Sequence, residues 1–235
     1  MEPILIVGAG PGLGLSIAHR FGREGRPVAL ISRNQERHGG YLSSLRAEGI
    51  EAVAVAADIA DPARARAAVE SVTERLGPIG VLYYGPGAAD PAARPAPILQ
   101  IGAEDLDEAV RTTVRPAVDL TGLVLPGMIE RGSGTLLYVA GLSAVVPLPM
   151  IGALAPASAA VRTYALTLNA ALAGTGVQAG AIVIGGLVER GDVHRAAVAA
   201  VGDGLPTLDP DELADAAADL ASRRDRAEVV FDALS

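Results

Sequence analysis

The residues best placed to do chemistry follow the first apolar run. Gly8-Ala9-Gly10-Pro11-Gly12-Leu13-Gly14 comes after Pro3 to Val7 and leads into residues 15–24, where helical spacing puts Leu13, Ile17 and Phe21 on one face. A strand that passes to a helix through glycines can turn tightly and bring its backbone close to a pyrophosphate. Free N–H groups at the helix start then meet the phosphate charge. A glycine turn without a ligand has the same composition, and the flanking strand and helix favour the ligand.

Groups able to move a proton are sparse. Ser143 lies just past the fifth apolar run, at the rim where open sheets bind ligands, and Tyr84 and Tyr138 end or lie within the fourth and fifth runs. A strand tyrosine is more often core with its hydroxyl tied off, and a helical serine commonly bonds its own backbone. His19 and His38 fall in the first two helices and read as solvated. His194 stands with Glu189, Asp192 and Arg195, and its titration near neutrality makes it a candidate acid or base. A metal site would need more converging ligands than these.

Composition excludes other chemistry. All 19 basic residues are Arg, and the chain has no Lys, Cys or Trp. Schiff-base lysines, a phosphate-loop lysine, thiol nucleophiles, disulfides and cysteine-ligated metals are therefore absent. A formal charge of −8 with no basic run argues against nucleic acid and anionic membrane surfaces, leaving a small molecule as the expected partner. Residues 132–161 carry no charge, but Pro147, Pro149 and Pro156 interrupt them, so a spanning helix is not expected. The start lacks a basic flank and a long apolar run, which makes the cytoplasm the default location.

The elements that must position these groups alternate along the 235 residues. Strands are predicted over 3–7, 28–31, 52–57, 81–84, 134–140, 177–184 and 228–231. Helices are predicted over 15–24, 35–48, 61–76, 104–130, 156–173 and 209–224, with Asp61-Pro62 and Asp209-Pro210 as start signals. Regular alternation means right-handed crossovers between parallel strands. The expected fold is α/β: a doubly wound, Rossmann-type, mostly parallel seven-stranded sheet with helices on both faces, in one domain over 1–235.

The spacing Gly-x-x-x-Gly-x-Gly at Gly8, Gly12 and Gly14 resembles the short-chain dehydrogenase/reductase family. Asp58-Ile59 after the third strand, Ile184-Gly185-Gly186 where the family has Pro-Gly, and Leu208 to Ala214 at the late helix start agree with it. The resemblance implies cofactor contacts at Gly8, Gly12, Leu13, Gly14, Ser32, Arg33, Asp58 and Ile59, and at Gly85 and Gly87 in an altered turn after the fourth strand. Ser32-Arg33 ends the second strand without an acid, so NADP(H) is favoured over NAD(H): an Arg fork suits the 2′-phosphate. Arg33 as a plain surface charge is the alternative, since Pro11 replaces a second basic residue found in many NADP-preferring relatives.

The same resemblance implies an Asn-Ser-Tyr-Lys tetrad, which falls here on Thr113, Gly141, Leu154 and Ser158. Without the tyrosine and lysine the usual proton relay is missing. The weak candidates to replace it are Ser143, Tyr84, Tyr138 and His194, the last within a substrate lid over 186–208. Three readings stay open. One is an NADP(H)-dependent oxidoreductase with a non-standard donor acting on a small organic substrate. Another is a non-redox cyclase, isomerase or dehydratase that does not use the nucleotide, and the third is an inactive nucleotide-binding or structural partner. Helices over 104–130 and 156–173 are those the family packs against a partner, so a homodimer or homotetramer is expected.

Overall fold

The apolar runs become strands in a computed structural model that describes residues 1–86 and 94–234. In chain order the strands are β1 (Ile4–Val7), β2 (Val28–Ser32), β3 (Ala52–Ala56), β4 (Val81–Tyr84), β5 (Gly134–Gly141), β6 (Val177–Gly185), β7 (Leu187–Val188), β8 (Thr207–Leu208) and β9 (Glu228–Asp232). The helices are α1 (Leu13–Gly22), α2 (His38–Ala47), α3 (Pro62–Leu76), α4 (Ala103–Ala109), α5 (Arg115–Arg131), α6 (Leu154–Ala171), α7 (Asp192–Val201) and α8 (Pro210–Arg223). The main sheet has seven strands, all parallel, in the order β3-β2-β1-β4-β5-β6-β9. Strands β7 and β8 pair separately.

Side chains alternate across the sheet and feed two core layers. Leu5, Val7, Ala29 and Ile31 join α3, α5 and α6 on one side, while Ile4, Ile6, Val28 and Leu30 join α1, α2 and α8 on the other. Burial on both faces is why β1 and β4 are apolar throughout rather than alternating. Two helix starts are set locally. Asp61 accepts from the N–H groups of Ala63 and Arg64 at 2.9 and 3.2 Å, and Asp209 accepts from Asp211 at 2.8 Å, each followed by a proline at the first helical position.

The structure corrects two elements. The helix expected over 104–130 runs unbroken from Ala103 to Arg131 but widens inside: α4 ends at Ala109, residues Val110–Val114 form a wider π turn, and α5 begins at Arg115. Pro116 has no N–H to offer the Thr112 carbonyl, and the Arg115 N–H reaches back to Val110, five residues away. The second correction is α7, an amphipathic helix with no fully buried residue, in a stretch where no element was predicted. Among the described residues no helix is long and apolar enough to cross a membrane.

Candidate functional site

Strand order reverses at β1, whose neighbours β2 and β4 lead to opposite halves of the sheet. The crevice beyond the carboxyl ends of β1 and β4 is where doubly wound sheets take ligands. The glycine turn lies there. Gly8 has φ +99°, and a Cβ placed on it would come within 2.2 Å of the Gly85 carbonyl oxygen, so the turns after β1 and β4 touch backbone to backbone. A Cβ on Gly14 would meet the Gly8 oxygen at 2.4 Å, whereas one on Gly10 would meet nothing within 4 Å. Gly12 precedes α1 with no side-chain cap, and the first turn of α1 carries no acid. The N–H groups of Leu13 and Gly14 have no acceptor among the described residues. A free, electropositive helix start thus faces the crevice, the arrangement that receives phosphate.

At the end of β2, Ser32 is half-buried and Arg33 exposed. The Ser32 hydroxyl donates to the Asn34 carbonyl at 3.0 Å and lies 2.7 Å from Nε2 of His38. His38 is not solvated as expected: it is 7% exposed, and burial holds its imidazole below the ordinary pKa. His19 is also enclosed, with Nε2 2.9 Å from the Ser44 hydroxyl and Nδ1 3.0 Å from a Glu48 carboxylate oxygen. Both corrections have one cause. Helix α2 packs on α1 and on the second strand's layer, which covers imidazoles that helical position alone leaves open. Asp58 is exposed and accepts from the Ala60 N–H at 3.0 Å, while Ile59 is buried in the layer containing Val53 and Val69.

The rim of β4 and β5 holds the hydroxyl groups. Tyr84 donates to the Thr113 carbonyl, in the π turn, at 2.6 Å, and the Tyr138 hydroxyl lies 2.6 Å from that of Thr121. Burial pushes both phenols above their usual pKa, so neither ionises readily. Ser143 and Ser158 instead converge on Gly141. The Gly141 N–H donates to the Ser158 hydroxyl at 3.3 Å, and a Cβ on Gly141 would lie 3.3 Å from that oxygen and 3.4 Å from the Ser143 oxygen. Leu154 opens α6 with 43% of its surface exposed. Gly85 donates its N–H to the Val7 carbonyl at 2.9 Å, and Gly87 lies outside the described residues.

The segment after β6 folds back on the glycine turn. A Cβ on Gly12 would lie 3.1 Å from both the Glu189 carbonyl oxygen and Gly191. Arg190 adopts φ +63°, and its guanidinium lies 2.8 Å from an Asp211 oxygen and 3.2 Å from the Ser16 hydroxyl. Asp192 opens α7 between Arg37, at 2.7 Å, and Arg195; Arg37 above all holds its carboxyl below the usual range. His194 is half-buried, and its Nδ1 has no hydrogen-bond partner among the described residues. Sequence reasoning missed Arg37 and Arg190 as ties that hold this segment to the start of α2 and to α1 and α8, because their partners lie far along the chain. No group of three His, Cys, Asp or Glu among the described residues could hold a metal ion.

Residues 2–196 match the short chain dehydrogenase family, and the chain belongs to it. It is 34% identical over 176 residues to a short chain dehydrogenase of Pseudocercospora fijiensis, covering 74% of this chain and 55% of that protein. It is 26% identical over 190 residues to the ketoacyl reductase HetN of Nostoc sp., covering 81% of this chain and 65% of the relative. The chain thus spans less than two thirds of the length of both relatives. Among solved structures it is similar to a gluconate 5-dehydrogenase from Burkholderia cenocepacia in complex with NADP and tartrate, with a TM-score of 0.83 and 26% identity over 99% of this chain and 94% of that one. The L-sorbose reductase of Gluconobacter frateurii complexed with NADPH and L-sorbose gives 0.82 and 25% over 99% and 95%.

Proposed function

We propose that this chain is an NADP(H)-dependent oxidoreductase that acts on a small organic substrate with a proton donor other than the family's tyrosine. The observation that carries this reading is the helix start itself. Among the described residues the N–H groups of Leu13 and Gly14 have no acceptor at the sheet's switch point, and Arg33 rather than an acid follows Ser32 at the end of β2. These residues fit the cofactor: the α1 turn would hold the pyrophosphate, Ser32 and Arg33 the 2′-phosphate, and Asp58 the adenosine end. NADPH supplies a hydride when bound. The names of the similar proteins, a ketoacyl reductase, a gluconate dehydrogenase and a sorbose reductase, support carbonyl or alcohol chemistry.

The Ser143 and Ser158 hydroxyls lie beside Gly141, which supports their orienting a carbonyl oxygen in this reading. Neither titrates near neutrality. The tetrad positions Thr113, Gly141, Leu154 and Ser158 hold no acid or base, and Tyr84 and Tyr138 have their hydroxyls tied. His194, within the proposed lid over 186–208, is the candidate acid or base, and its Nδ1 has no hydrogen-bond partner among the described residues. The lack of an acid or base at the tetrad positions Thr113, Gly141, Leu154 and Ser158 favours a second reading, a non-redox reaction on this scaffold.

The test is NADPH titration of the parent and of Arg33→Asp. NADPH at about 100 times Kd raises stability by roughly 2.7 kcal/mol through mass action, a clear rise in Tm. The parent is expected to show that rise and Arg33→Asp to lose it while keeping NADH. No rise with either nucleotide refutes the oxidoreductase reading. A rise without any substrate-dependent change in nicotinamide absorbance supports the non-redox one.

A further inference from the structure

One arrangement of protons satisfies both contacts of the Ser32 hydroxyl at once. The Ser32 hydroxyl carries one proton, and its bond to the Asn34 carbonyl at 3.0 Å uses that proton. The 2.7 Å contact to His38 Nε2 is then satisfied only if the imidazole donates through Nε2–H and the serine oxygen accepts. The ring is buried at the first position of α2, and its main-chain N–H is fixed by the Gln35 carbonyl at 3.0 Å. Ser32 itself stays half-open at the tip of β2, beside Arg33. A buried donor therefore holds a reachable hydroxyl by its oxygen and leaves its proton free to change acceptor.

We propose that His38 is a positioning residue that sets NADP(H) selectivity by holding the Ser32 hydroxyl as a donor to the cofactor's 2′-phosphate. This inference rests on the NADP(H) reading above. When a phosphate oxygen arrives, the Ser32 proton turns from the Asn34 carbonyl to the phosphate, while Nε2–H keeps its bond to the serine oxygen. The chain His38 to Ser32 to phosphate is polarised in one direction, which strengthens its last link. An unphosphorylated ribose lacks the negative charge that makes that link strong, so NADH gains little from it.

The experiment is fluorescence titration of the full chain with NADPH and with NADH, alongside thermal unfolding without ligand. His38→Leu removes the donor, and His38→Phe keeps the ring volume if the leucine variant unfolds. His38→Gln places an amide N–H near the position of Nε2. We expect the apolar variants to weaken NADPH about tenfold while NADH changes by less than about twofold, and glutamine to recover most of the loss. In a Ser32→Ala background His38→Leu is expected to have no further effect, because the group it acts through is gone. Equal losses for NADPH and NADH, or additive losses in the double variant, overturn the inference. A parent that prefers NADPH while every folded His38 variant titrates like it overturns this inference alone. A parent that binds neither nucleotide removes the cofactor reading and this inference together.

Discussion

Replacing Gly8 by alanine is expected to damage the fold, while the same change two residues on at Gly10 is expected to leave it intact. Gly8 sits at φ +99°, outside the region an L-residue adopts readily, and its new methyl would fall 2.2 Å from the Gly85 carbonyl oxygen. The conformational cost is about 1–2 kcal/mol, and moving two fixed backbone turns apart adds about 1–3 kcal/mol. The sum, about 2–5 kcal/mol, is a large part of the roughly 5–15 kcal/mol that holds a domain together. At about 2–4 °C per kcal/mol for a chain of this size, Tm falls by roughly 4–20 °C. The Cβ of Gly10 meets nothing within 4 Å, so Gly10→Ala stays within about 0.5 kcal/mol of the parent. Gly14→Ala belongs with Gly8, since its methyl would lie 2.4 Å from the Gly8 oxygen. Thermal unfolding without nucleotide reads all three. Equal drops at Gly8 and Gly10, or an unchanged Tm for Gly8→Ala, would refute the assignment of Gly8 as a packing glycine and Gly10 as an open one.

Two further outcomes follow from the site. Tyr84→Phe leaves the Thr113 carbonyl without its donor, at a cost of about 1–2 kcal/mol in denaturant unfolding, and leaves turnover unchanged; a variant that keeps parental stability but loses activity would give Tyr84 a chemical role instead. Asp192 has a depressed pKa in the folded chain, so its pairing with Arg37 contributes above the ordinary carboxylate range and is lost as pH falls through the folded value. Proteolysis within 187–208 is expected to quicken below about pH 4 in the parent and to be quick already at pH 7 in Asp192→Asn; indifference of the cleavage rate to both would show that the pair does not fasten this segment.

The parts of the fold legible in the sequence are those set by local chemistry or by burial on both faces. The strands could be read because a parallel sheet covered on both sides needs unbroken apolar runs, as in Ile4–Val7 and Val81–Tyr84. The starts of α3 and α8 could be read because Asp61-Pro62 and Asp209-Pro210 cap their own helices. Pro116 was also visible in the sequence, and its missing N–H was signal enough to expect an irregular helical turn just before it. Helix α7 escaped because it buries no residue fully, so its spacing of Val193, Ala197 and Val201 had no core to answer to. In the site, the glycine turn was legible because its chemistry belongs to the backbone. The burial of His38 and the convergence of Ser143 and Ser158 on Gly141 depend on how α2 and α6 dock, which no local pattern records.

The order of the sheet also shapes how the chain reaches its structure. Ile4 pairs with both Val28 and Val81, Val81 with Thr135, and Thr135 with Gln178, so no two neighbouring strands of the main sheet are joined by a short hairpin. Every strand pairing closes a long loop before it is rewarded, which places this chain among slow folders with high contact order. Strands β1 to β4 form one contiguous half of the sheet from the first 84 residues, so that half can assemble while β5, β6 and β9 are still being synthesised. Until β5 arrives, the open side of β4, with Tyr83 and Tyr84 on its two faces, is the edge most in need of protection from pairing with another chain.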